Sequence, residues 1–141
     1  MPAAPHTAAL AAPKAADEKI TLNIGCIDLG QIDLLVQEGF YSNRSDLIRT
    51  AVRRLLSDHE GVVQQVVARK TLVLGIQHYT QADLQAIQQA GERLQIRVLG
   101  LASFADDVSP ELALATIDSI TVLGALHASP AVKRALAGRT R

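Results

Sequence analysis

The stretch FYSNRSDLIRTAVRRLL, Phe40–Leu56, decides how the first half of this chain is read. Leu47, Ile48, Ala51, Val52, Leu55 and Leu56 fall on one side of a helix and make a broad apolar face. Ser42 is the expected N-cap, with Asn43, Arg44 and Ser45 forming the first turn. Arg49 and Arg53 lie four apart on the other side, and Asp46 sits three before Arg49, close enough to pair with it. A helix with this stripe needs something apolar to bury it.

The residues upstream supply part of the answer. Lys19-Ile20-Thr21-Leu22-Asn23-Ile24 alternates polar and apolar with β-branched residues, the pattern of a half-buried strand. Ile20, Leu22 and Ile24 would face a core, and Lys19, Thr21 and Asn23 would face outward. A short helix follows, with Asp28 as N-cap, Gln31 as capping-box partner, and Ile32, Leu35 and Val36 at helical spacing up to Gly39. One strand and two helices in about 40 residues cannot close a core, because a lone strand leaves its backbone unpaired and so small a chain buries too little. A symmetric dimer solves both problems. Two copies of the strand pair antiparallel, and four helices close the core with Ile20, Leu22, Ile24, Ile48, Val52 and Leu55. The resulting two-stranded ribbon fits the major groove of B-DNA, about 12 Å wide.

KITLNI followed by GFYSNRSDLIRTAVRRLL resembles the ribbon-helix-helix (Arc/MetJ/CopG-type) regulators over about residues 18–58. The resemblance implies that Lys19, Thr21 and Asn23 read base edges. It also implies that Ser42, Asn43, Arg44 and Ser45, at the start of the second helix, hold a backbone phosphate. Physics supports the second role independently, since a helix N-terminus offers unpaired N–H groups and a positive dipole end. Gly25-Cys26-Ile27-Asp28 departs from the family's usual link between strand and first helix, lacking its proline or acidic start. Residues 18–60 carry five basic and seven acidic side chains, so binding would lean on base contacts and phosphate clamps rather than bulk charge.

Composition narrows the function classes. The chain has 141 residues, 48% of them hydrophobic, with a formal net charge of zero. No apolar run approaches the roughly 20 residues of a membrane span, and residues 1–17 read as a disordered Ala- and Pro-rich arm rather than a signal peptide. Aromatics at 3% argue against stacking platforms for single-stranded nucleic acid. Cys26 is the only cysteine, which excludes an internal disulfide and the usual zinc patterns; it reads as a small buried or edge residue. Asp106-Asp107 has no nucleophile–base set around it, and no phosphate loop is visible, so no enzyme, cofactor or metal is expected.

The second half repeats a phrase. TLVLG, IRVLG and ITVLG end at Gly75, Gly100 and Gly124, spaced 25 and 24 residues apart. Each is followed by a helix start: Thr80 with Asp83, Ser109-Pro110-Glu111, and Ser129-Pro130. Three strand–helix repeats predict a three-stranded parallel sheet, with strands near 71–76, 96–101 and 119–125 and right-handed crossovers. The stack resembles a truncated leucine-rich repeat without that family's Asn ladder. His78 and His127 each follow a repeat glycine by three and would share a column two strands apart, roughly 10 Å, too far for one ion. With His59 they read as surface histidines.

The predicted class is therefore mixed, α+β and α/β: an arm (1–17), a ribbon-helix-helix dimerisation domain (18–58), a linking helix (59–70) and a β–α repeat domain (71–141). The expected function is a cytoplasmic, nucleoid-associated, sequence-specific regulator that binds double-stranded DNA as a homodimer or higher homo-oligomer. The repeats would add oligomerisation or sensing. Two rivals remain open: an antitoxin whose C-terminal part masks a toxin, and a scaffold that uses the helix dimer without DNA.

Overall fold

A computed structural model describes residues 17–141; the arm expected over 1–17 lies almost wholly outside them. The chain divides into two compact units, Lys19–Val66 and Val67–Arg141, the latter taking in Glu18.

In the first unit, helix α1 spans Cys26–Gln37 and α2 spans Arg44–Asp58. The expected strand Lys19–Ile24 is not a strand in the single chain, because no second strand is present to share its backbone hydrogen bonds. α1 starts earlier than the sequence implied. Its N-cap is Gly25 without a side-chain bond, and Asp28 sits in the first turn instead of capping it. That placement still suits the positive end of the helix dipole. α1 stops at Gly39, whose φ of 88° is open to glycine at little cost. Gly39 N–H donates to Val36 O and Phe40 N–H to Leu35 O, the paired bonds of a Schellman ending.

α2 is capped by Asn43, not Ser42. The Asn43 Oδ1 accepts from Asp46 N–H, and the Ser42 N–H donates to Asp46 Oδ2. Register explains the shift. Asp46 stands three residues after Asn43, and its carboxylate accepts from the N–H of Ser42, just before the cap; three residues after Ser42 stands Ser45, which has no carboxylate.

Helix α3, Glu60–Lys70, contains the boundary between the units. It ends at Thr71, which takes a φ of 52°. Thr71 N–H bonds Ala68 O, Leu72 N–H bonds Val67 O, and Arg97 Nη1 donates to both Thr71 Oγ1 and Lys70 O. These contacts hold a non-glycine residue in a region it seldom enters.

The second unit alternates strand and helix: β1 Val73–Tyr79, α4 Gln81–Gln89, β2 Leu94–Phe104, α5 Pro110–Thr116, β3 Ile117–His127 and α6 Pro130–Leu136. The sheet is parallel, three-stranded and ordered β1-β2-β3. All three expected caps are present. Thr80 and Asp83 form a full capping box, and Ser109 and Ser129 each accept an N–H three residues on, with proline following. The strands run further toward their C-terminal ends than expected. The repeat glycine is a mid-strand residue, and His78, Ser103 and His127 beyond it are one more row of the sheet.

Gly75, Gly100 and Gly124 stand side by side in the register. Gly100 and Gly124 have φ of 138° and 123°, and a Cβ there would fall 2.2 Å from Gly75 O and 2.0 Å from Gly100 O. At Gly100 and Gly124 the recurring glycine is thus a steric requirement of neighbouring strands.

Alternation along β2 divides the sheet. Ile96, Val98, Ala102 and Phe104 turn to the helices and pack with Leu84, Ile120 and Leu136. Each fully buried aliphatic side chain contributes about 1.5–3 kcal/mol, so this unit holds its own core. The opposite face carries the rows Leu74–Leu99–Leu123, Ile76–Leu101–Ala125 and His78–Ser103–His127. Arg139 Nη1 donates to Leu114 O and Ile117 O, closing the end of α5.

Candidate nucleic-acid interface

The first unit differs from the second in one physical respect. None of α1, α2 or α3 has a buried residue. Ile20 and Leu22 are 84% and 65% exposed, Val52 and Leu55 are exposed, and Ile24 and Ile48 are half-buried. The side chains assigned to a core by spacing therefore form no core within one chain. Lys19, Thr21 and Asn23 are exposed as well. Cys26, read as buried or at an edge, is an exposed thiol at the first position of α1.

The start of α2 is built from four short contacts. Asn43 and Asp46 tie down the turn as described. Arg44 reaches back across 11 residues: its Nε donates to Asp33 Oδ1 at 2.7 Å and its Nη2 to Asp33 Oδ2 at 2.8 Å. This forked pair fixes the first turn of α2 against α1. The hydrogen bond from Arg44, with its positive charge, holds the Asp33 carboxyl below its ordinary 3.8. Arg44 was expected to help hold a phosphate at this helix start; in the single chain its side chain faces Asp33. Its backbone N–H and that of Ser45 have no partner among the described residues. These two N–H groups lie at the positive end of the α2 dipole, an arrangement suited to an anion.

The Asp33–Arg44 pair was not visible in the sequence. Eleven residues separate the partners and a turn of irregular backbone intervenes, so no helical or strand period links them. Its pH dependence follows from the direction of the shift. A carboxyl lowered by folding contributes stability above its ordinary pKa and loses it as pH falls below 3.8. Amide protection in Ser42–Leu47, taken relative to the intrinsic exchange rate at each pH, is therefore expected to fall on acidification through that range. Asp33→Asn should remove this component of the pH dependence. Unchanged dependence in Asp33→Asn would show that the pair does not hold the turn.

The three described histidines have separate partners. His78 Nδ1 lies 2.5 Å from Ser103 Oγ, His127 Nε2 lies 2.6 Å from Glu18 Oε1, and His59 Nδ1 lies 3.0 Å from Leu55 O. His78 and His127 do occupy one row, with Ser103 between them. Among the described residues, no group of three His, Cys, Asp or Glu side chains is placed to hold a metal ion, and no helix is long and apolar enough to cross a membrane.

A family model described as the Ribbon-Helix-Helix transcriptional regulator family matches residues 15–133. The match takes in both units, so the β–α repeats fall inside the region the model describes. Comparison with curated proteins and with solved structures finds no match.

Proposed function

Since the chain belongs to the ribbon-helix-helix transcriptional regulator family, we propose that it binds double-stranded DNA sequence-specifically as a homodimer. One observation carries this reading: residues 19–66 bear apolar side chains at core spacing and bury none of them. A second copy supplies the missing cover. Pairing of two Lys19–Ile24 segments satisfies the backbone of both and turns Ile20, Leu22 and Ile24 onto Ile48, Val52 and Leu55. Lys19, Thr21 and Asn23 then face out on a ribbon of major-groove width. Asn offers a donor and an acceptor in the arrangement that matches adenine, and Thr and Lys can bond or touch base edges.

The backbone N–H groups of Arg44 and Ser45 would seat a phosphate on each side of the ribbon, fixing its register without reading sequence. Ser42 and Asn43 support that turn: the Asn43 side chain caps it, and the Ser42 N–H is bound to Asp46. The Arg44 guanidinium acts mainly by orienting the turn through Asp33. Arg44→Ala should therefore lower affinity through a loosened turn and change the salt slope little. The repeat unit adds oligomerisation, and the protein works in the cytoplasm on the nucleoid.

Thr21→Ala or Asn23→Ala is expected to cost about 1–3 kcal/mol on the cognate site and to relax preference at the base pair it faces. Titration of labelled cognate and scrambled duplexes at fixed salt measures this. Equal affinity of wild type and both variants for the cognate duplex, with the dimer intact, would remove the ribbon as the reader.

A further inference from the structure

The glycine row explains Gly100 and Gly124 by contact with a neighbour, but it does not explain Gly75 in that way. Gly75 keeps the same conformation, with φ of 131°, yet nothing lies within 4 Å of where its Cβ would be. The Cβ positions of Gly124 and Gly100 point along the row, each onto the carbonyl of the preceding strand. By the same register, the empty position at Gly75 points off the free edge of β1. At the other end of the row, Gly75 O and Gly100 O each face the next strand, so Gly124 O faces the free edge of β3. The sheet ends in a slot on one side and the matching carbonyl on the other.

From this we infer that copies of the chain stack head to tail through their repeat units, β3 of one receiving β1 of the next in parallel register. Gly124 faces Gly75 of the incoming copy, which places Val73–Tyr79 beside Val122–Ala128. Three further features fit. First, the edge of β3 already accepts a parallel partner: Ile120 bridges to Thr140, and Arg141 N–H donates to Ile120 O at 2.8 Å. Second, the apolar row Leu74–Leu99–Leu123 on the open face ends in exposed leucines, Leu74 at 66% and Leu123 at 52%, whereas Leu99 between them is half-buried. Stacking makes Leu123 and Leu74 neighbours and continues the row. Third, α4, α5 and α6 cover one face in strand order, so α4 of the next copy would follow α6.

A heterologous contact of this kind closes into a ring or runs on as a filament. On a DNA-binding dimer it would join neighbouring bound dimers.

Cysteine pairing in the full chain tests the geometry. In a Cys26→Ser background, Leu74→Cys and Leu123→Cys are made separately; both sites are exposed, so neither change disturbs the core. Within one chain the two positions lie two strands apart, about 10 Å, beyond the reach of a disulfide. Oxidation of the mixed single variants should yield a covalent pair containing one of each, identified by mass spectrometry of the linked peptides. The double variant should yield a ladder of covalent multimers. Gly75→Ala, which puts a methyl in the slot, should abolish the ladder, and circular dichroism should confirm that the sheet persists. Homotypic links alone, 74 to 74 or 123 to 123, would overturn the head-to-tail arrangement. Absence of any link at the highest concentration at which the chain stays dissolved would overturn it too.

Discussion

Gly124→Ala is expected to unfold the repeat unit or to lower its stability by at least about 3 kcal/mol, adding backbone collision to left-handed strain. The added Cβ would stand 2.0 Å from the Gly100 carbonyl oxygen, and both partners are backbone in adjoining strands. Neither can turn aside as a long side chain could. Gly100→Ala should behave similarly, with 2.2 Å to Gly75 O. Gly75→Ala provides the contrast. It carries the same strain from its φ of 131° but meets nothing within 4 Å, so its cost should be about 1–3 kcal/mol. Urea unfolding of the three variants, followed by circular dichroism, measures the order. Equal losses at all three positions would mean that the conformation alone, and not the approach of strands, makes glycine necessary there.

Leu55→Asp is expected to abolish both dimerisation and specific DNA binding. In the single chain Leu55 is 59% exposed, so a carboxylate there remains hydrated and costs the isolated unit little. In the dimer it would be enclosed by the partner's apolar residues, and an unpaired buried charge costs several kcal/mol. Two copies would carry that cost twice, because a two-fold interface places each residue on both sides. Sedimentation at micromolar concentration should find the variant unable to form the wild-type dimer, while the repeat unit keeps its own cooperative unfolding. The variant should retain only weak, salt-sensitive association with duplexes. A Leu55→Asp protein that dimerises as the wild type does would place the subunit contact elsewhere than this helix face.

The sequence reveals unequal amounts of the two units, and the reasons are physical. The repeat unit was legible because its constraints are local and recur. The glycine of each VLG phrase takes the same positive-φ conformation, two of the three also meet a neighbouring carbonyl, and Ser-Pro or Thr-x-x-Asp marks each helix start. Its strand ends were misjudged because His78, Ser103 and His127 are polar and yet lie within the sheet. The first unit was legible through the family it resembles and through one strong helical stripe. Its details were not. Two good caps, Ser42 and Asn43, stand side by side, and only the bonds to Asp46 choose between them. Arg44 looked free for a phosphate because its partner, Asp33, lies on another helix. Lys19–Ile24 could not be a strand in one chain, since no neighbouring strand is there to share its backbone hydrogen bonds.

We propose that a dimer of this chain reads DNA with Thr21 and Asn23. Selection of genomic fragments by the protein, at a stated salt concentration, tests this most directly when run beside the Thr21→Ala, Asn23→Ala double variant. The wild type should enrich a short sequence with two-fold symmetry, and the folded, dimeric double variant should not. Enrichment of the same sequence by both proteins, or none by a folded wild-type dimer, would contradict it.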